Sequence, residues 1–181
     1  MKRIKLWDKE FEISIPEGKI QQAIKNMADQ MRTDLEGKEV IFLCILNGSF
    51  IFSADLMKEM ELSDAEITFL KLASYSGTQS SGNLKELIGL NENLQGRNVV
   101  ILEDIVDSGF TITDVVRQVQ EKGAADVKVA TLLFKPAALK TEVKLDYVGL
   151  EIPNDFIVGY GLDYDGRGRN LKDIYTLVPD E

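Results

Sequence analysis

Glu103, Asp104 and Asp107 fall within five consecutive positions, inside the stretch VVILEDIVDSGFTITDVV at 99–116. Residues of these types at this spacing suit a phosphorylated sugar. Neighbouring carboxylates accept hydrogen bonds from a vicinal diol. The turn Asp107-Ser108-Gly109-Phe110-Thr111 then places backbone amides at the start of a predicted helix, where unpaired N–H groups and the helix dipole favour a phosphate. Gly109 permits positive φ in that turn, and the hydroxyls of Ser108, Thr111 and Thr113 offer further donors. Each feature alone has a plainer reading. Thr111 or Asp114 before a helix is ordinary capping, and paired acids at a strand end are often merely solvated. The plain readings do not cover the combination of a buried strand, two acids, a third acid and a hydroxyl–glycine turn leading directly into a helix.

These groups need a scaffold. Residues 99–102 form the most apolar strand candidate, and Ile112, Val115, Val116 and Val119 follow helical spacing up to Gly123. Ligands of open α/β sheets bind at the carboxyl ends of strands, which is where Glu103 and Asp104 are expected. Upstream, Ile20, Ala23, Ile24, Met27 and Met31 predict an amphipathic helix over 16–35, opened by Pro16 and closed by Gly37. The continuous apolar run 40–46 reads as a strand covered on both faces. The turn Asn47-Gly48-Ser49 follows it, and then a helix over 50–60. Strands are expected at 66–72, 127–134 and 147–152. The Ser- and Gly-rich segment 74–83, SYSGTQSSGN, reads as a long hairpin turn or a lid. This strand–helix–strand alternation predicts an α/β fold with a central, mainly parallel twisted sheet flanked by helices. The Gly-, Asp- and aromatic-rich part from 153 onward is expected to make a small flap over the sheet edge.

Composition narrows the chemistry. The 181 residues suit one domain. No histidine is present, which removes Ser-His-Asp triads, His-ligated zinc and His general bases. The single cysteine, Cys44, excludes an intrachain disulfide and reads as a small buried hydrophobe. A net charge of −9 disfavours a nucleic-acid partner, because phosphate backbones are held by clustered Lys and Arg. Anionic small molecules remain possible where a divalent metal carries part of their charge. No apolar stretch approaches the ~20 residues needed to span a bilayer, and the N-terminus lacks the apolar run of a signal peptide. A cytoplasmic address without membrane partners is the expectation.

The motif VVILEDIVDSGFT resembles the phosphoribosyl pyrophosphate signature of the type I phosphoribosyltransferases, and its EDIVDSG form is similar to the hypoxanthine-guanine phosphoribosyltransferase family. The likeness runs in family order from about residue 40 to residue 175. It implies a core over about 36–150 and a small hood from 1–15 and 151–181, within one domain of 1–181. It implies Mg²⁺ as cofactor, and phosphoribosyl pyrophosphate and a 6-oxopurine such as hypoxanthine or guanine as substrates, in purine salvage. It also implies a homo-oligomer, dimer or tetramer.

By this resemblance Glu103 and Asp104 hold the ribose hydroxyls, partly through the metal, and Asp107 is the general acid/base facing N7 of the purine. Ser108, Gly109, Phe110 and Thr111 bind the 5-phosphate, Phe110 through its amide. Asn47 and Gly48 match the short pyrophosphate loop, often built with a non-proline cis peptide, and Ser74 and Tyr75 open the closing lid. Lys135 in LLFKP matches the lysine that recognises the 6-oxo group. Within NDFIVGYGLDY, Phe156 matches the aromatic that stacks on the base, and Ile157 the residue whose backbone reads its edge. Asp163 matches a further metal ligand beside the purine, and Arg169 the arginine on pyrophosphate. The plainer readings are a solvated strand end for Lys135, a core aromatic for Phe156, and a surface ion pair for Asp163 and Arg169. Asn47 stands where many relatives carry lysine, which implies less positive charge at the pyrophosphate loop; Phe110 also stands where lysine is common, and the two changes together imply weaker substrate affinity. A xanthine- or adenine-directed transferase is disfavoured by Lys135 and Phe156. A regulatory RNA-binding relative is disfavoured by the charge of −9. A Rossmann-type domain lacks G-x-G-x-x-G after a first strand.

Overall fold

The computed structural model describes residues 2–73 and 85–179. The elements are β1 (Arg3–Leu6), β2 (Lys9–Ile15), α1 (Glu17–Asp34), β3 (Val40–Leu46), α2 (Phe50–Met60), β4 (Ala65–Ala73) and β5 (Lys85–Ile88). Then follow β6 (Asn98–Val106), α3 (Phe110–Glu121), β7 (Asp126–Phe134), β8 (Tyr147–Glu151), β9 (Ile157–Val158) and β10 (Ile174–Leu177). The expected lid at 74–83, with Ser74 and Tyr75, lies outside the described residues.

A six-stranded sheet in the order β5-β4-β3-β6-β7-β8 forms the centre. Strands β4, β3, β6, β7 and β8 run parallel, and β5 is antiparallel to β4. Side chains alternate faces along a strand, which explains the unbroken apolar run of β3. Val40 and Phe42 point into the core shared with α1 and α2, beside Val100, Leu102 and Leu132. Ile41, Leu43 and Ile45 point to the other face, where Ile112, Val115 and Val119 of α3 cover them. Both faces of β3 are covered, as expected for a central strand of a parallel sheet. Among the described residues, no helix is long and apolar enough to cross a membrane.

The alternation of strand and helix is looser than the sequence pattern suggests. The β7–β8 crossover contains only a 3₁₀ turn, Pro136–Ala138. No helix is needed there because Leu139, Val143 and Leu145 of the crossover pack directly against the α3-side core. Between β4 and β6 the chain adds β5 and a coil whose Leu90 and Leu94 are buried in the same core.

The flap is a four-stranded antiparallel sheet, β1-β2-β10-β9, built from both ends of the chain. Phe11, Val158 and Tyr175 form its own small core. Ile15, Ile157, Tyr160 and Ile174 lie in the larger core with α1, so the small sheet packs onto the parallel one through continuous apolar contact.

Candidate active site

Strand β6 continues to Val106, so Glu103 and Asp104 lie within the strand and not just beyond it. The ladder persists because β7 runs alongside to Phe134, with Glu103 opposite Thr131 and Val106 opposite Phe134. Glu103 is therefore buried, with 8% of its surface exposed. The Asp104 amide donates to Glu103 Oε1 at 3.2 Å, and the Ile105 amide donates to Asp104 Oδ1 at 2.8 Å. Burial, followed by the Asp104 charge, pushes the Glu103 carboxyl well above the usual carboxylate range. Burial also raises Asp104, although hydrogen bonds and Arg169 pull in the opposite direction.

Between its ordinary value of 4.5 and the raised folded value, the folded chain keeps a Glu103 proton that the unfolded chain has released. Stability contributed by this group is complete below 4.5, its ordinary value, and is lost as pH rises towards the raised folded value. Glu103→Gln is expected to remove that loss and to stabilise the ligand-free protein at pH 8 by about 1 kcal/mol, a rise of about 2–4 °C in unfolding midpoint. Thermal unfolding at pH 5 and pH 8 checks this; a variant less stable than the parent at pH 8 would contradict it.

The loop after β3 closes against the acids. Its Leu46–Asn47 peptide is cis. Gly48 lies so close to Asp104 that a Cβ there would sit 1.6 Å from Oδ2. Ser49 anchors the loop from below, its amide donating to Ile45 O at 3.3 Å and its hydroxyl at 2.5 Å. Cys44, whose thiol burial pushes up, sits 3.2 Å from the same hydroxyl and is a buried core residue.

On the other side of β6, Gly109 adopts φ 86° and caps α3. Leu139 and Thr141 cover it so closely that a Cβ would approach each to 2.9 Å, and the Lys140 amide donates to Ser108 O at 3.0 Å. The segment after the 3₁₀ turn thus supports the Ser108–Thr111 bend, a contact with no signal in the motif itself. A cavity of about 100 Å³ is lined by Glu103, Asp107, Ser108, Gly109 and Thr111. The leading amides of α3 have no acceptor within the helix. One expected donor is otherwise engaged: the Thr113 hydroxyl donates to Gly109 O at 2.8 Å and reinforces the helix start.

Asp107 is the first residue after β6, half exposed, and its Oδ2 lies 3.5 Å from Lys135 Nζ. Lys135 is buried at the end of β7, where its amide donates to Val106 O at 3.0 Å. Phe110 is exposed at the start of α3. Phe156, 47% exposed, leads into β9, with ring centroids 6.3 Å from Phe11 and 6.0 Å from Tyr164. Ile157 beside it is buried.

Asp163 Oδ1 pairs with Arg169 Nη2 at 2.7 Å, and its Oδ2 accepts the Gly166 amide at 2.7 Å. Arg169 Nη1 donates to Gly161 O at 2.7 Å. Gly161 in turn abuts Gly48, since a Cβ on it would fall 1.9 Å from Gly48 O. The plain ion pair and a place beside the acid pair are therefore both present. Among the described residues, no three acid or cysteine side chains come together as a ready metal cage. Glu103 and Asp104 nevertheless offer hard oxygen ligands, and a divalent cation completed by substrate oxygens and water would take the place of the proton that burial favours on Glu103.

A family model described as phosphoribosyl transferase domain matches residues 16–165. Over 169 residues the chain is 40% identical to the bifunctional protein TilS/HprT of Listeria monocytogenes serotype 4b, covering 93% of this chain and 26% of that protein's length. It is 37% identical over 168 residues to the hypoxanthine-guanine phosphoribosyltransferase of Bacillus subtilis, covering 92% and 93% of the two chains. The crystal structure of a hypoxanthine phosphoribosyltransferase from Staphylococcus aureus superposes with a TM-score of 0.87 at 36% identity, covering 93% of this chain and 91% of that one.

Proposed function

The chain belongs to the phosphoribosyl transferase domain family, and from that premise we propose that it transfers the 5-phosphoribosyl group of phosphoribosyl pyrophosphate (PRPP) to hypoxanthine and guanine. The observation that carries this reading is the pair of buried Glu103 and half-buried Asp104, set between Gly48 on one side and the Gly109 bend on the other. One end of that cleft is anionic and suits ribose hydroxyls with a divalent metal. The other offers helix-start amides to the 5-phosphate. Asp107 and Lys135 lie together just beyond, one able to accept a proton and the other only to donate hydrogen bonds.

Displacement at the anomeric carbon separates charge as the ring becomes oxocarbenium-like. Glu103 and Asp104 are the proposed holders of Mg²⁺, which when bound supplies electrostatic stabilisation of the departing pyrophosphate. Arg169, beside the Gly48 loop, adds a fixed positive charge on that side. Asp107 takes the N7 proton as the base attacks. Lys135 donates to the 6-oxo group and leaves an adenine amino group without a partner. Phe156 stacks on the base.

The hood and core act as one domain in this reading, supported by their shared apolar core. Exposed Ile67, Phe69 and Ile88 along β4 and β5 support a homo-oligomer.

Incubation with Mg²⁺, PRPP and each of hypoxanthine, guanine, xanthine and adenine, with identification of the nucleotide formed, tests the reading. IMP and GMP are expected, and formation of AMP alone would overturn it. In the same assay Lys135→Ala is expected to lower both activity and the hypoxanthine-to-adenine preference, the latter by about tenfold or more, the worth of a hydrogen bond to a charged donor. Full selectivity in that variant would remove Lys135 from base recognition.

A further inference from the structure

We infer that Asp55, Tyr160 and Gln21 form a positioning lock that fixes the Gly161–Arg169 side of the cleft against the Gly48 loop. Tyr160 is buried, with φ 49°, a conformation uncommon outside glycine. Its hydroxyl donates to Asp55 Oδ2 at 2.5 Å, and Gln21 Nε2 donates to the same oxygen at 3.1 Å and to the Tyr160 oxygen at 3.2 Å. Lys58 closes the set on Asp55 Oδ1 at 2.9 Å. Burial, and then the bond to Asp55, drive the phenol well above its ordinary value, so it remains a donor at any working pH.

The placement of these groups gives the lock its consequence. Asp55 lies on α2, the helix that begins directly after the Asn47-Gly48-Ser49 turn. Tyr160 lies between Gly159 and Gly161, and Gly161 packs its backbone against Gly48 O. The Gly161 amide donates to Arg169 O at 2.9 Å while its carbonyl accepts Arg169 Nη1 at 2.7 Å. The Tyr160 amide is tied to Leu171 O at 2.8 Å. A closed circuit therefore runs from the loop through α2, Asp55, Tyr160 and Gly161 back to the loop. Arg169 is mounted on it, while neither Asp55 nor Tyr160 touches the cleft that holds the acids and the phosphate bend. The glycines at 159 and 161 allow the close approach, and the phenol supplies the fixed point that a backbone flanked by glycines lacks.

The lock rests on the proposed PRPP site, and its test separates the two. Tyr160→Phe removes only the hydroxyl. Amide hydrogen exchange at Tyr160 and Gly161 is expected to quicken about tenfold, while Val115 and Val119 of α3 keep their rates; a general loss of stability would quicken all four. The KM for PRPP is expected to rise about tenfold with kcat changed less than about threefold, since a bond to a charged acceptor is lost away from the reacting atoms. Asp55→Ala should reproduce both effects and Asp55→Asn, which keeps an acceptor, should restore most of each. Unchanged exchange at Tyr160 and Gly161 overturns the lock whether or not the parent makes nucleotide. Quickened exchange with an unchanged KM for PRPP overturns it too. Failure of the parent to use PRPP counts against the proposed activity alone, and the exchange data then decide the lock.

Discussion

Asp107→Asn is expected to lower turnover with hypoxanthine by about 10²-fold or more while leaving PRPP affinity within a few-fold of the parent. The side chain sits at the first position past β6, half exposed, where the strand hands over to the phosphate bend. Asparagine has the same shape and still offers an oxygen to Lys135, so the geometry of the bend is kept. It lacks a basic oxygen, and a general base contributes about 10²–10⁴ to rate. The expected loss corresponds to about 2.7 kcal/mol in the barrier. Because the carboxylate also faces Lys135 Nζ at 3.5 Å, its removal leaves a buried ammonium with one fewer anionic partner. A KM for hypoxanthine measured alongside kcat separates the two effects. A changed KM with unchanged kcat would assign Asp107 to holding Lys135 and remove it from proton transfer.

Much of this frame is legible in the sequence because it depends on short-range pattern. The run Val40–Leu46 and the helix Phe50–Met60 appear as the apolar run and the turn signal between them suggest. The core face of α1 is the set Ile20, Ala23, Ile24, Met27 and Met31, with Ala28 added. What escaped depends on partners distant in the chain. Tyr160 and Asp55 are 105 positions apart, and although Tyr160 lies within NDFIVGYGLDY, nothing in that motif points to Asp55 as its partner. The burial of Glu103 follows from β7 extending the ladder past Leu102, which apolarity along β6 alone does not reveal. Thr113 looked like a ligand donor because a hydroxyl near a helix start serves either a phosphate or the backbone. Here the Gly109 carbonyl claims it. Strand β5 escaped because it follows the polar segment 74–83, and its pairing with β4 has only a short, irregular register.

Gly48→Ala is expected to reduce kcat/KM for PRPP by about 10²-fold or more, although the residue offers no side chain to any substrate. A Cβ would stand 1.6 Å from Asp104 Oδ2 and 2.6 Å from its Cγ, distances no real Cβ tolerates, so one of the two partners must move. The loop has little room to retreat. Ser49 ties it to Ile45 O through both its amide and its hydroxyl, and the Ser53 amide donates to Ser49 O at 2.8 Å. From the opposite side, Gly161 already presses on Gly48 O. Asp104, bonded through Oδ1 to the Ile105 amide and by its side chain to Glu103, is the group left to yield, and its Oδ2 would swing out of line with Glu103. A displacement of about 1 Å in a group proposed to orient the sugar is enough for a loss of this order. Gly18→Ala supplies the control: nothing lies within 4 Å of that position in α1, and the exchange should leave activity intact while adding about 0.5–1 kcal/mol of stability. Circular dichroism of both variants should match the parent. Near-normal kcat/KM for Gly48→Ala would mean that Asp104 can leave its place without consequence, and the acid pair would then have no part in holding the ribose.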